Sequence, residues 1–264
     1  MNLEEYKIMM NKLCQMLNGL YLDNIIKTDN FSIFYSNLIS NNFWNMAILN
    51  KEDSLDDVSI LRDIEQIFKE INRQSCIYIP LIMHNHDRYK DLLISKGYYI
   101  GDIHSCMFYE AQTNDTNITN KIIRVENKEQ YNDYMEVIAS AYGGEVTEED
   151  PYAGAVTDEY YVAIKNSLDK SNINHYVLYQ DDEPVCVATL STANESGSIN
   201  NVGTKKEYQN KGLGRQMMAH IINEFNNLGG KELSLATEYN SKNERWYERQ
   251  GFKTKFIVEQ YAKD

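Results

Sequence analysis

The sequence predicts an α/β (α+β) protein, with mixed sheets flanked by helices and two tandem domains. Three observations carry this. In the second half several strand-like segments follow one another and then give way to strand, loop, helix, strand and helix, which makes a mixed sheet with helices on its faces. Residues Leu92-Leu93-Ile94-Ser95-Lys96-Gly97-Tyr98 match Trp246-Tyr247-Glu248-Arg249-Gln250-Gly251-Phe252 in register, 154 residues further on. Between the copies, residues 111–117 are polar and without apolar periodicity, which reads as a linker. The expected organisation is a domain over 1–112, a linker over 113–120 and a second domain over 121–264.

Composition narrows the function. With 264 residues, 42% apolar and 25% charged, the chain has the makings of a packed core. Its formal net charge of −13 is spread over both halves, −6 in residues 1–120 and −7 in 121–264. That excludes a typical nucleic-acid binder, which needs a basic footprint, and suits a cationic or neutral substrate. No apolar run approaches the ~18 residues of a membrane span. The acidic, periodic start is not a signal peptide. Cys14, Cys76, Cys106 and Cys186 lack both C-x-x-C spacing and disulfide density, so a cytoplasmic location is expected. A monomer or a homodimer is expected. Glycine is uneven: Gly19, Gly97 and Gly101 are alone in the first 142 residues, and ten fall between Gly143 and Gly251. A phosphate-cradling loop therefore belongs in the second half.

Along the chain, Leu61, Ile64, Ile67, Phe68 and Ile71 mark an amphipathic helix, followed by the strand Cys76–Ile79. A helical stretch over Tyr89–Ser95, the pair Gly97-Tyr98 and a strand ending near Met107–Tyr109 follow. Past the linker, Ile122–Val125 reads as a strand and Tyr131–Tyr142 as a helix with Tyr134, Val137, Ile138 and Ala141 on one face. After Gly143-Gly144 comes an acidic loop over 145–150, then a helix near 158–168. His175–Tyr179 and Val185–Leu190 form a hairpin across the turn at 181–184. Ile199–Thr204 is the next strand. A helix opens at Gly214 with Met217, Met218, Ile221, Ile222 and Phe225 at helical spacing and stops at Gly229-Gly230. Leu233–Ala236 is a strand, Asn243–Gln250 a short helix, and a last strand runs from Phe252.

The chemistry concentrates at Gln209-Asn210-Lys211-Gly212-Leu213-Gly214-Arg215. Two glycines ahead of a helix leave oriented backbone N–H groups uncovered, which is how an anion site is made. It is neither a Walker loop nor the three-glycine dinucleotide fingerprint. Taken alone, the pattern equally describes a turn with a capped helix. In context, Val202 to Gly214 resembles the acetyl-CoA motif of the GNAT superfamily of N-acetyltransferases, whose core Arg/Gln-x-x-Gly-x-Gly/Ala is met by Gln209, Gly212 and Gly214. A second signature of that family, Asn followed seven residues later by Tyr and then Gly-Phe, is met by Asn240, Tyr247, Gly251 and Phe252. The resemblance covers residues 121–264 and extends over 1–110 in outline.

The resemblance implies two GNAT-like domains, each a mixed, mostly antiparallel sheet flanked by helices, the N-terminal one degenerate. It implies transfer of an acetyl group from acetyl-CoA, as co-substrate and without a metal, directly to an amine of a small molecule or peptide. Val202, Gly203 and Thr204 would offer backbone groups to the pantetheine arm. The amides of Gln209, Asn210, Lys211, Gly212, Leu213, Gly214 and Arg215 would hold the pyrophosphate, and Asn240 would bond the arm from the other side. Tyr247 would protonate the departing thiolate, its other reading being a packed aromatic beside Trp246. For the base, Glu145, Glu195 and Glu238 are all candidates. A non-catalytic acyl-CoA-binding sensor or scaffold is the alternative, and the N-terminal half could also be a protein-interaction module.

Departures are visible too. The family's usual loop proline is Lys206 here. The chain ends twelve residues after Phe252, short for two closing strands, so one strand is missing or the other domain completes the sheet. In the first half Leu93 and His86 stand at the positions of Tyr247 and Asn240, and no glycine lies between Gly19 and Gly97, so that half is expected not to bind CoA. His84, His86, His104 and Cys106 lack the tight ligand pairing of a zinc site. No partner base is evident for Cys186, which reads as a core thiol.

Overall fold

The computed structural model of the chain describes residues 2–110, 116–144, 154 and 156–263. The chain divides into two compact units, Met1–Phe108 together with Ala236–Asp264, and Tyr109–Leu235.

In the first unit α1 (Leu3–Met16) starts from Asn2, whose side chain caps the Glu5 amide while the Glu5 carboxylate accepts the Asn2 amide, a complete capping box. Three short strands follow, β1 (Asn24–Lys27), β2 (Phe31–Tyr35) and β3 (Met46–Leu49), joined by antiparallel pairings. A 3-10 turn at Ser54–Asp56 leads to α2 (Ser59–Glu70), which buries Ile60, Leu61, Ile64 and Phe68 at helical spacing. The crossover makes β4 (Ser75–Pro80) parallel to β3. Then come α3 (His86–Ser95) and β5 (Tyr99–Tyr109).

The second unit opens with β6 (Lys121–Arg124), α4 (Lys128–Tyr142) and α5 (Asp158–Ser167). Strands β7 (Ile173–Gln180), β8 (Glu183–Ala193) and β9 (Ser196–Thr204) pair antiparallel in sequence, with β6 on the far side of β7. Helix α6 (Leu213–Asn227) crosses over to β10 (Glu232–Glu238), which runs parallel to β9. Its buried stripe includes Met217, Met218, Ile221, Ile222 and Phe225, the residues the periodicity marks.

After Leu235 the chain returns to the first unit. There it forms α7 (Lys242–Arg249) and β11 (Phe252–Lys263). Strand β11 pairs antiparallel with β4, from Val258 opposite Pro80 to Lys263 opposite Ser75, giving the order β1-β2-β3-β4-β11-β5. This resolves the short C-terminus: the closing strand is present, and it completes the sheet built by the first hundred residues.

The repeat at offset 154 recurs in the connectivity. Both units run antiparallel, antiparallel, then parallel across a helix, and α3 and α7 both end in a left-handed glycine, Gly97 (φ +86) and Gly251 (φ +94). The aromatic that follows, Tyr98 or Phe252, is buried in each case. The acidic loop at 145–150 and most of the linker at 111–117 lie outside the described residues. Among the described residues, no helix is long and apolar enough to cross a membrane.

Two buried histidines tie stability to pH. Burial pushes His175 down to about 3, with Arg124 adding to the effect, and His104 down to about 4 against a weaker upward pull from Asp102. Both stay neutral in the fold while their unfolded counterparts protonate near pH 6.5. The unfolded state therefore binds more protons as pH falls, and each histidine removes on the order of 1 kcal/mol of stability per pH unit below about pH 6.5 and above its own folded value. Urea unfolding at pH 7.5, 6 and 5 should show this fall, with a shallower slope in His175→Asn; a flat profile contradicts it.

Candidate active site

The site builds outward from β9. Its pairing with β10 covers only Ser196–Ser198 against Glu232–Ser234, and past Ser198 that edge carries no further rung. On the other edge the register to β8 slips by one residue: Thr189 faces Asn200 while Val187 faces Gly203. The extra residue makes a bulge, with Asn201 at φ +54. The fork and the bulge thus fall on the same few residues. Val202, Gly203 and Thr204 lie on the open arm. The Val202 carbonyl already accepts the Tyr142 hydroxyl at 2.8 Å, and the Thr204 carbonyl accepts Gln209 Nε2 at 3.3 Å. Gly203 is needed for packing, since a Cβ there would lie 2.9 Å from Ala141 Cβ and 3.2 Å from a Tyr142 ring carbon.

Lys205 ends the strand, and only 5% of it is exposed. Its Nζ meets Glu136 Oε1 at 2.6 Å and Glu183 Oε1 at 3.1 Å, and the Tyr208 hydroxyl donates to Glu183 Oε2 at 2.7 Å. Desolvation pulls the Lys205 ammonium down, but hydrogen bonds and charge from Glu136 and Glu183 outweigh it and hold it above the ordinary lysine value. Its charge is therefore spent on Glu136 and Glu183. It anchors the turn at Lys206–Tyr208 from which the glycine loop departs.

That loop carries two left-handed residues, Asn210 (φ +61) and Gly212 (φ +81), before α6 begins at Leu213. Gly212 is the N-cap and supplies no side chain to the helix amides, and a Cβ on it would meet nothing within 4 Å. The first helical rung outside the helix proper is the Gln216 amide on the Gly212 carbonyl, so the amides of Leu213, Gly214 and Arg215 point out of the helix start. Oriented N–H groups, a helix dipole and open space make an anion cradle. Lys211 Nζ sits 4.5 Å from the centroid of the Tyr208 ring, and Arg215 Nε donates to Thr116 Oγ1 at 2.9 Å. Both are basic groups at the cradle's rim.

Asn240 and Tyr247 fall in the other compact unit. Asn240 is left-handed (φ +56) and precedes the helix cap Ser241, whose hydroxyl accepts the Glu244 amide at 3.0 Å. The Glu244 carboxylate is buried and accepts three hydrogen bonds. One oxygen takes the hydroxyls of Ser105 and Thr254, each at 2.6 Å, and the other takes the Asn240 amide at 2.5 Å. Arg245 donates to the Asn240 carbonyl at 3.0 Å. Glu244 thus fixes Asn240's turn, a role the sequence reading missed although Ser241-x-x-Glu244 is a readable capping signature. Tyr247 is half-buried, edge-on to Trp246 at 4.9 Å and to Phe252 at 6.1 Å between centroids.

Of the candidate bases, Glu195 lies in the β8–β9 turn at the closed end of the fork, paired with Lys231 at 2.6 Å, which removes it from the open arm. Glu238 ends β10, and Glu145 lies outside the described residues. Burial raises the Cys186 thiol to about 12, so it is inert as a nucleophile. His86 bonds Glu259 and Asp87, and His104 packs edge-on to Phe43. Among the described residues no group of three or more His, Cys, Asp or Glu could hold a metal ion.

A forked β9, a bulge on its open arm and an uncapped start to the next helix thus lie close together along the chain. Residues 171–254 match the family model described as an acetyltransferase (GNAT) domain. The match gives the chain a GNAT acetyltransferase domain within residues 171–254. The solved structures it resembles include a GCN5-related N-acetyltransferase from Kribbella flavida, with TM-score 0.68 and 14% identity over 97% of this chain and 94% of that one. A conserved protein of unknown function from Staphylococcus epidermidis gives 0.67 and 17%, over 94% and 96%. A tandem GNAT protein from the clavulanic acid biosynthesis pathway gives 0.55 and 7%, over 88% and 77%. At these identities the likeness is one of fold. No curated protein matches the sequence.

Replacing Glu244 by Ala leaves three inward donors without their acceptor and should cost about 2–4 kcal/mol of stability. Glu244→Gln, which keeps an acceptor oxygen, should cost less. Urea unfolding checks both, and a change below about 0.5 kcal/mol in Glu244→Ala contradicts the assignment.

Proposed function

We propose that the protein transfers an acetyl group from acetyl-CoA directly to an amine of a small molecule or peptide. The observation that carries this is the left-handed Asn210 and Gly212 leading into the uncapped start of α6, on the strand that forks from β10. In this reading the amides from Gln209 to Arg215 receive the pyrophosphate, and the open edge of β9 at Val202–Thr204 receives the pantetheine arm as an added strand would be received. The second family signature supports Asn240 as a further hydrogen-bonding partner of that arm and Tyr247 as the acid.

The neutral amine attacks the thioester carbonyl, its nitrogen forming the new C–N bond. Charge develops on the carbonyl oxygen, and the C–S bond then breaks. The leaving thiolate takes a proton from the Tyr247 hydroxyl, which recovers one from water, while the amine nitrogen loses its extra proton to solvent. No covalent enzyme intermediate is needed, so positioning supplies most of the acceleration. An acidic chain, −13 overall, suits a cationic acceptor, while Lys206, Lys211 and Arg215 bring positive charge to the loop that meets the anionic donor. Four free cysteines accord with a cytoplasmic location.

The first unit is read as a copy that takes no CoA. Between β3 and α2, where the second unit has its glycines, it carries Glu52, Asp53, Asp56 and Asp57. The Asp57 carboxylate accepts the Ser59 amide at 2.9 Å, and that bond holds its pKa below the usual range. A fixed anion at the helix start repels a second one.

Calorimetry with acetyl-CoA and release of free thiol over a panel of amines test the proposal. Gly212→Asp should weaken acetyl-CoA binding at least about a hundredfold by placing a carboxylate in the cradle. Tyr247→Phe should lower kcat by about a hundredfold and leave the acetyl-CoA KM nearly unchanged. Undiminished binding in Gly212→Asp overturns the cradle, an unchanged kcat in Tyr247→Phe overturns the acid, and tight binding with no thiol release for any amine favours a sensor.

A further inference from the structure

A chain of buried polar side chains crosses the second unit's sheet beneath the bulge. The acetyl-transfer reading gives it no role. Ser167 on α5, His175 on β7, Thr189 on β8 and Tyr134 on α4 are each at most 2% exposed. Ser167 Oγ lies 2.7 Å from the Ile164 carbonyl and 2.8 Å from His175 Nε2. His175 Nδ1 lies 2.7 Å from Thr189 Oγ1, which lies 2.7 Å from the Tyr134 hydroxyl. Asn201 Nδ2 donates to Thr189 Oγ1 at 3.3 Å, and the Tyr134 hydroxyl also bonds the Asn201 side chain.

Donor counting fixes the direction of every bond. A carbonyl only accepts, so Ser167 gives its single proton to Ile164 and must accept from His175 Nε2–H. Neutral His175 then has an accepting Nδ1, which takes the one proton of Thr189. Thr189 is left with two lone pairs, and Tyr134 and Asn201 fill them. The order Asn201 and Tyr134 to Thr189 to His175 to Ser167 to Ile164 leaves no member unsatisfied and admits no other arrangement. Such a network specifies one geometry, because any shift leaves a buried group unpaired.

Its outer end is Asn201, the half-buried, left-handed residue of the β9 bulge. We propose that Asn201, held by Thr189 and Tyr134, is a positioning residue that fixes the register of the bulge, and so sets how the open arm of β9 presents its backbone to the thioester. This rests on the acetyl-transfer reading. The pyrophosphate cradle lies beyond Lys205, which is separately anchored, so the network governs turnover and the seating of the pantetheine arm, and leaves the hold on the pyrophosphate alone. A bulge that slides by one residue would turn the backbone groups of residues 199–204 to the opposite edge.

Asn201→Gly is the informative variant: glycine keeps φ +54 without strain and leaves the Tyr134–Thr189–His175–Ser167 chain intact, removing the anchor alone. Hydrogen exchange of the ligand-free protein should speed up at least about tenfold over residues 199–204 and stay unchanged in α6. With the best amine, kcat should fall about ten- to a hundredfold while the dissociation constant for ADP, which carries the pyrophosphate without the pantetheine arm, stays within about twofold. Thr189→Val should do the same, and Thr189→Ser, which keeps the hydroxyl, should restore the wild-type behaviour. Unchanged exchange over residues 199–204 in Asn201→Gly overturns the inference, as does a loss of ADP affinity that matches the loss of rate. If the wild-type protein acetylates no amine, the acetyl-transfer reading fails by itself, and the exchange measurement still decides whether Asn201 holds the bulge.

Discussion

Three rungs of parallel pairing, from Ser196 to Ser198 against Glu232 to Ser234, decide what the second unit can do. They fix where β10 starts and where α6 must turn back. Past Ser198 the edge of β9 lacks that pairing, and backbone donors and acceptors on such an edge seek a partner. An extended ligand arm with its own amides is chemically suited to the place. Had the parallel pairing continued to Thr204, no free run of β9 edge up to the glycine loop could exist.

Lys205 and the glycine loop then divide the work. The buried lysine bonds the half-exposed carboxylates of Glu136 and Glu183, so the end of β9 is pinned to α4 and β8. The loop beyond it is left to the backbone: left-handed Asn210 and Gly212 aim amides outward, and no side chain competes for them. The equivalent stretch of the first unit shows the opposite choice. There, carboxylates occupy the helix start, and Asp57 takes the Ser59 amide for itself. One connectivity thus carries glycine ahead of the helix in one unit and aspartate in the other.

What was legible in the sequence follows from how local each feature is. The stripe of α6, the hairpin of β7 and β8 and the glycine loop depend on neighbouring residues, and they fall where the periodicity puts them. The first sixty residues were barely legible: β1, β2 and β3 are four or five residues long and have no Pro or Gly at their ends. Asn200-Asn201-Val202-Gly203 reads as plain strand, because a bulge is a relation between two strands and leaves no mark on one. Lys205 and Lys206 look alike on paper, yet only the first is buried. The short C-terminus posed the right question, but the pairing of β11 with β4 lies far beyond any local signal. Glu244 could have been found, since its spacing from Ser241 announces a cap; its bonds to Ser105 and Thr254 could not.

The most direct test of the account is to follow backbone amide resonances while acetyl-CoA is titrated into the unmodified protein. The largest shifts should fall in residues 209–215, with a second set over residues 199–204 of β9, and the first unit's loop at residues 50–58 should stay unmoved. Shifts centred on residues 50–58, or none in residues 209–215 at saturating acetyl-CoA, would contradict it.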